Sequence, residues 1–256
     1  MIHPQAIIDP SAAIAENVSI GPFSVIGAHV EIASGTSIAA HVVIDGPTKI
    51  GRDNKIYSFA SLGGDPQDKK YAGEDTRLEI GDRNVIREYC TFSRGTAQDE
   101  GVTRVGDDNW IMAAVHIAHD CSVGNNTVFA NNATLAGHVV VEDFVILGGF
   151  SMVHQFCKIG AYSFAAMNSV ISKDVLPFLM VSGYLAKPYG LNNEGLKRHG
   201  FSNEVLKELR QAYKTIYRSN LTLKQAVEQL EANPHACAEV AQQLSFLKGS
   251  NRGIVR

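Results

Sequence analysis

A large aliphatic or aromatic residue returns at every sixth position along most of the chain. It falls on Ile2, Ile8, Ile14, Ile20, Ile26, Ile32, Ile38, Ile44, Ile50, Ile56 and Leu62 without a miss. After an interruption it resumes at Ile80, Ile86 and Phe92, shifts phase by one residue, and continues through Val105, Ile111, Ile117, Val123, Phe129, Leu135, Val141, Leu147, Val153, Ile159 and Ile171, with Ala165 undersized. The position four residues after each is nearly always small, as at Val18, Ser24, Val30, Thr36, Val42, Thr48, Ala60, Cys121, Thr127, Ala133, Ser151, Ser163 and Ser169. An amphipathic helix needs a period of about 3.6 and a surface strand needs alternation, so neither produces a strict six. The pattern predicts a parallel β-helix, in which each hexad is one short flat strand and neighbouring coils bury one another's interior; three hexads, about 18 residues, close one triangular coil.

The beat stops near residue 187 and helical spacing replaces it. Ser202 is placed to cap a helix with Val205, Leu206, Leu209, Tyr213, Ile216 and Tyr217 on one side, and Thr222 with Gln225 reads as a capping box for the next. Asn233 and Pro234 break that helix, and a third follows with Val240, Leu244 and Leu247 on one face. The expected organisation is a β-helix over 1–186, with loop insertions near 63–79 and 94–102, and a small C-terminal α-helical domain over 187–256.

Charge divides at the same boundary. Residues 1–186 hold 12 Lys+Arg against 20 Asp+Glu, a net of -8, while 187–256 hold 11 against 6, a net of +5. Lys207, Arg210, Lys214 and Arg218 recur at helical spacing opposite the apolar stripe, where an acidic partner can dock; the same spacing also describes an ordinary solvated face. A net charge of -3 and the lack of aromatic residues among the basic ones argue against nucleic acid. The N-terminus carries no basic or apolar leader pattern, and no apolar run reaches the roughly 18 residues that span a bilayer, so a cytoplasmic, not membrane-spanning protein is expected. Cys90, Cys121 and Cys157 occupy the small interior position, where a thiol serves as a compact hydrophobe in a reducing compartment.

The first insertion, GGDPQDKKYAGEDTRLE from Gly63 to Glu79, skips about two hexads and has the polarity of a binding loop. The second, RGTAQDEGV from Arg94 to Val102, judged alone reads as a surface bulge. Candidate chemistry concentrates in His116, His119, Asp120, His138, His154 and Gln155, a short stretch that holds four of the nine histidines. Asp120 and His138 differ by one coil and should stack, with His119 level with Gly137. An imidazole there can act as a general base near neutral pH. Zinc is the competing reading, but a H-x-x-H pair in a coil, His116 with His119, does not converge as two histidines one helical turn apart do.

The stretches KYAGE, IGDRNVIRE, RGTAQ, HIAHDC, NNATLAGHV, VHQFCKIG, NEGLKRHGF and RGIVR, in this order over essentially the whole chain, resemble the acyl-carrier-protein-dependent UDP-N-acetylglucosamine O-acyltransferases, hexapeptide-repeat enzymes that begin lipid A synthesis. The resemblance implies a left-handed parallel β-helix, a homotrimer with active sites between subunits, acyl carrier protein and UDP-N-acetylglucosamine as partners, and no cofactor or metal. It implies His119 as the base for the glucosamine 3-hydroxyl, Asp120 as its orienting carboxylate and the Gly137 N–H as oxyanion donor. Substrate contacts are implied for Gln67, Asp68, Lys70, His116, His138, His154 and Gln155, with Asn192, Glu194, Arg198 and His199 towards the nucleotide. The basic row Lys207, Arg210, Lys214 and Arg218 becomes the carrier-protein surface. Met167 stands at the family's hydrocarbon ruler, where a bulky residue implies a shorter donor of about ten carbons.

Three positions depart from the family pattern: Ser93 where many members have histidine, Gly64 in place of an acidic residue, and His199 in place of a second arginine. A neutral imidazole attracts phosphate less than a guanidinium. These departures leave open a paralogue that acylates a 3-amino sugar. A metal-dependent enzyme of the carbonic-anhydrase kind on the same scaffold is a further alternative, as is a silent repeat scaffold. The related N-acyltransferases carry an N-terminal uridine-binding domain, for which repeats beginning at Ile2 leave no expected place.

Overall fold

The structure, a computed structural model, describes residues 1–233 and 236–256. Among them the strands form three sheets of nine, eight and ten members, each gathering every third strand until the last two strands of the chain, which both join the ten-membered sheet. Only the last strand breaks the parallel order. The register states the coil length directly: Ile8 pairs with Ile26, Ile26 with Ile44, Ile44 with Leu62, and later Ile117 with Leu135 and Leu135 with Val153. Each step is three hexads, as the spacing predicts.

Most strands are two residues long, one side chain facing out and the large aliphatic facing in. Ile26, Ile44, Leu62, Phe92, Ile117 and Leu135 are buried to within about a hundredth of their surface and stack as a single interior column. At about 25 cal/mol per Å² of apolar area, repetition of this column is what holds such short strands together. The first coil is covered on one side only, and its inward aliphatics show it: Ile2 is exposed and Ile8 and Ile14 are half-buried.

Several of the small interior positions are polar for a reason the spacing does not reveal. Ser24 Oγ donates to Ala39 O (2.8 Å) and Thr36 Oγ1 to Gly51 O (2.9 Å), meeting carbonyls that face inward at the coil corners. Cys90 Sγ and Cys121 Sγ donate likewise to Met112 O (3.2 Å) and Ala136 O (3.1 Å), so these thiols are hydrogen-bond donors as well as compact fillers. Burial pushes the Cys121 thiol up to about 12 and that of Cys90 to about 11. In another corner the side chains form a ladder. Asn54 Oδ1 accepts from Asn84 N, Asn84 Oδ1 from Asn109 N, and Asn109 Oδ1 from Thr127 N, while the Asn84 amide donates to Gly106 O.

Both interruptions of the beat are excursions from one coil edge. The strand Ser61–Gly64 is followed by Arg77–Ile80, so the first excursion is residues 65–76, narrower than the sequence suggests. Ser61 pairs with Thr91, a step longer than one coil by two whole hexads, which preserves the phase. Thr91 pairs with His116, a step longer than one coil by a hexad and one further residue, which accounts for the phase shift of one.

The coil ends when Leu179–Ser182, parallel to Phe164–Ala165, is covered by Lys187–Leu191 running antiparallel. Helices follow: α1 (Asn193–Arg198), α2 (Asn203–Tyr217), α3 (Leu223–Glu231) and α4 (Ala238–Lys248). Ser202 caps α2 and Thr222 with Gln225 forms the capping box of α3, as the sequence predicts; the short α1 has no counterpart in the sequence reading. Asn233 lies just beyond α3, and Pro234 lies outside the described residues. In α4 the buried stripe is Val240, Gln243 and Phe246, with Leu244 and Leu247 half-buried. The difference arises because the amide of Gln243 donates to Pro177 O (3.0 Å) on the coil and is drawn inward. No helix among the described residues is long and apolar enough to cross a membrane.

Replacing Asn84 by Ala strips a partner from the buried Asn109 N–H and from the partly buried Gly106 C=O. At about 1–3 kcal/mol for an unmet buried group, and less for the partly buried carbonyl, Asn84→Ala should cost about 1–4 kcal/mol, read as a lowered denaturation midpoint. An unchanged midpoint would show that the ladder carries no stability.

Candidate active site

Coil corners turn through left-handed backbone, and three corner residues one coil apart form a column: Asp120 (φ 59°), His138 (φ 61°) and Phe156 (φ 64°). Asp and His are among the residues that tolerate this conformation best. The Phe156 ring stacks on His138 (centroids 4.4 Å apart, planes 13°), and His119 meets His138 edge-on at 5.1 Å. His119 lies flat against the next coil at Gly137, where any β-carbon would come within 2.5 Å of its Cε1. Glycine is required there by the ring itself.

His119 Nδ1 is 2.8 Å from Asp120 Oδ2, whose side chain is 1% exposed. That carboxylate also accepts Thr96 N (2.8 Å) and Thr96 Oγ1 (2.6 Å), and Asp120 N donates to Thr103 Oγ1 (2.8 Å). A carboxylate only accepts, so Nδ1 is the donor, and the lone pair of the neutral ring falls on Nε2. The arrangement is that of an oriented general base. On the far side, His138 Nδ1 is 2.7 Å from Asp99 Oδ2, with Nε2 3.7 Å from Asp120 Oδ2.

His119 and His138 open onto a cleft of about 800 Å³. Gln67, Asp68, Lys69 and Lys70 enter it from the first excursion, Gln98 and Asp99 from the second, and Gln155 and Phe156 from the coil. The second excursion is therefore part of the site and not a surface bulge. Thr96, Asp99, Thr103 and Phe156 are site residues that the sequence reading lacks. The sequence carries no signal for Thr96 or Asp99, because the second excursion has no period from which its alignment with residues 119–121 could be read.

Arg94 ties the two excursions together. Its buried guanidinium donates to Gly63 O (2.6 Å), Gly46 O (3.1 Å) and Tyr71 Oη (2.9 Å), and pairs with the Asp65 carboxylate. Burial raises the Asp45 carboxyl nearby, against the opposing pull of Arg94.

The remaining candidates fall outside the cleft. His116 bonds Thr91 Oγ1 through Nδ1 (2.7 Å), and its basicity is lowered chiefly by burial. His154 is exposed, with Nδ1 3.2 Å from Gln155 O. Asn192, Glu194 and Arg198 line a second cavity of about 490 Å³ with Ile146, Phe164 and Met180, on a different sheet. Asn192 is engaged at both ends, capping α1 through Gly195 N (3.2 Å) and donating to Tyr162 O (3.0 Å). His199 does not line that cavity; its ring packs edge-on against Phe144 (5.0 Å) and Tyr162 (5.2 Å), which draws it to the aromatic seam between coil and helices. Met167 is 71% exposed and lines neither cavity. Ser93 is buried, and Gly64 sits near Asp45.

Lys207, Arg210, Lys214 and Arg218 lie on α2 and at its C-cap, with Arg210 donating to Asn193 Oδ1 (3.1 Å). For a metal, the three donors that lie within 4.8 Å of one another among the described residues are those of His119, Asp120 and His138, not the His116 and His119 pair. The Asp120 oxygens among them already accept two bonds from Thr96 and one from His119.

Lysine cannot reproduce the fork of Arg94. Arg94→Lys should loosen residues 65–76 and speed tryptic cleavage after Lys69 or Lys70 about tenfold, as expected for losing charge-assisted bonds at a partly exposed site. Fragment mass spectrometry would read this, and a wild-type cleavage rate would refute the anchoring role.

The chain matches the family model described as UDP N-acetylglucosamine O-acyltransferase, domain 2, over residues 174–255, and that of the bacterial transferase hexapeptide over 11–46 and 103–137. It is 62% identical to the acyl-(acyl-carrier-protein)–UDP-N-acetylglucosamine O-acyltransferase of Thiobacillus denitrificans and 57% identical to that of a Janthinobacterium strain, in each case over 100% of this chain and 99% of the relative. Among solved structures it superposes on the UDP-N-acetylglucosamine acyltransferase of Francisella novicida (TM-score 0.98, 42% identity, 100% of this chain and 94% of that one). LpxA of Acinetobacter baumannii is similar in shape to much the same degree (TM-score 0.97, 49% identity, 100% and 99%). The chain belongs to the acyl-(acyl-carrier-protein)–UDP-N-acetylglucosamine O-acyltransferase family.

Proposed function

We propose that this protein transfers a 3-hydroxyacyl chain from acyl carrier protein to the 3-hydroxyl of UDP-N-acetylglucosamine, the reaction that begins lipid A synthesis, in the cytoplasm and without a cofactor. The observation that carries the reading is the His119–Asp120 pair, 2.8 Å apart, with its carboxylate shielded from solvent and its imidazole facing a cleft lined by polar side chains from two excursions.

His119 Nε2 takes the proton of the sugar hydroxyl as its oxygen attacks the thioester carbonyl. Asp120 stabilises the imidazolium that forms. The Gly137 N–H faces the developing oxyanion, and the carbon–sulfur bond breaks as the tetrahedral intermediate collapses. The imidazolium returns its proton to the departing carrier thiolate, which leaves the sugar ester, the free thiol and the base in its starting state. Gln67, Asp68, Lys70, His138 and Gln155 hold the sugar and acyl groups from the cleft walls. Glu194 and Arg198, with Asn192 fixing the start of α1, take the nucleotide in the second cavity.

A homotrimer with each site between subunits suits the separation of the two cavities on one chain. Exposure of Met167 likewise suits a ruler that acts on a groove completed by a neighbouring subunit. The Lys207, Arg210, Lys214 and Arg218 row serves the acidic carrier.

Acyl transfer from 3-hydroxyacyl carrier proteins of ten to sixteen carbons to UDP-N-acetylglucosamine tests the reading. His119→Ala should lose about 10²- to 10⁴-fold in kcat, and the shortest donors should turn over fastest. No turnover by the wild type would sink the acceptor assignment, and fastest turnover with a fourteen-carbon donor would sink the ruler.

A further inference from the structure

We propose that Asp99 is a positioning residue of the acceptor site, which acts by fixing the orientation of the His138 ring. The inference rests on the acyltransfer reading and adds to it a residue of the second excursion.

Two constraints act on the His138 ring. Phe156 stacks on it at 4.4 Å and sets its plane. Stacking does not distinguish the two edges of an imidazole, so a half-turn about the Cβ–Cγ bond would exchange Nδ1 with Cδ2 and move Nε2 away from its place. The Asp99 carboxylate, 2.7 Å from Nδ1, removes that freedom. Because a carboxylate accepts and does not donate, Nδ1 carries a proton towards Asp99 and Nε2 is presented beside Asp120, 3.7 Å from Oδ2. That gap is too long for a direct hydrogen bond, and the cleft opens at this point.

Asp99 is itself held. Its other oxygen accepts Glu100 N (3.0 Å), and its own N–H donates to Thr96 O (3.2 Å), the same Thr96 that grips Asp120. One short turn therefore sets two carboxylate–imidazole pairs, Asp120 with His119 and Asp99 with His138. Asp120 is buried, whereas the Asp99 side chain is 44% exposed, so solvent weakens the second pair and its effect should be the smaller.

Steady-state kinetics of wild type, Asp99→Ala, Asp99→Asn, His138→Ala and the Asp99→Ala/His138→Ala double variant test this. Asp99→Ala should raise KM for UDP-N-acetylglucosamine about five- to tenfold with KM for the acyl carrier protein unchanged, and Asp99→Asn, which keeps an acceptor oxygen, should fall between it and wild type. In the His138→Ala background the Asp99 change should have no further effect, since its only route is through that ring. Equal KM increments in both backgrounds, or wild-type constants for Asp99→Ala, would overturn the proposal. His119→Ala assayed in parallel separates the two readings: if it abolishes turnover while Asp99→Ala behaves as wild type, the base stands and the positioning role falls. Turnover kept by His119→Ala removes the base whatever Asp99 does.

Discussion

The inward-facing aliphatic at every sixth position is the constraint on which the rest of the structure depends. Strands of two residues have almost no stability of their own, and a register slip of one residue would turn the inward-facing aliphatics of a coil outward. Stacking one coil on the next fixes the register at three hexads, as in the Ile8, Ile26, Ile44, Leu62 column. Once that register is fixed, every corner of every coil is fixed as well. The functional side chains inherit their positions from the hydrophobic ones.

The two excursions obey the same constraint. An insertion of two complete hexads leaves the interior phase untouched; one of a hexad and a further residue shifts it by one, and the aliphatics downstream of Phe92 shift with it. Both leave the sheet that carries His116, from the two coils that precede it, so their polar residues reach one place. Arg94 closes the arrangement, since its guanidinium meets carbonyls of the coil and the side chains of Asp65 and Tyr71 at once. A rigid solenoid supplies the reference frame, and loops that would be mobile alone are held against it at their bases.

The fold was legible in the sequence because hexad spacing is a property of single positions. The same is true of the His119–Asp120 pair, the packing of His119 on Gly137, and the caps at Ser202 and Thr222. The features that were not legible depend on where a side chain finds its partner. Thr96 and Asp99 belong to a polar run with no period, and their importance lies in bonds to Asp120 and His138 that only the path of the turn creates. Gln243 is buried on α4 because a carbonyl of the coil waits for its amide, a fact hydrophobicity cannot express. From its neighbours in sequence His199 reads as a weakened phosphate ligand, yet it packs between aromatic rings.

The separation of the two cavities bears on how the proposed substrates meet. Arg210, in the basic row of α2, bonds Asn193 at the rim of the cavity that holds Glu194 and Arg198. A carrier protein docked on that row therefore stands beside the nucleotide cavity of its own chain, while the base faces a cleft on another side of the coil. Asn192 commits its side chain to Tyr162 and Gly195, which fixes α1 against the coil and leaves recognition there to its neighbours. With the docking row beside the second cavity and the base facing a cleft elsewhere on the coil, the arrangement suits the proposed assembly, in which a second copy of the chain would bring its own His119 to the donor. Each chain would then contribute to two half-sites, the base and its cleft to one and the nucleotide cavity with its docking row to the other.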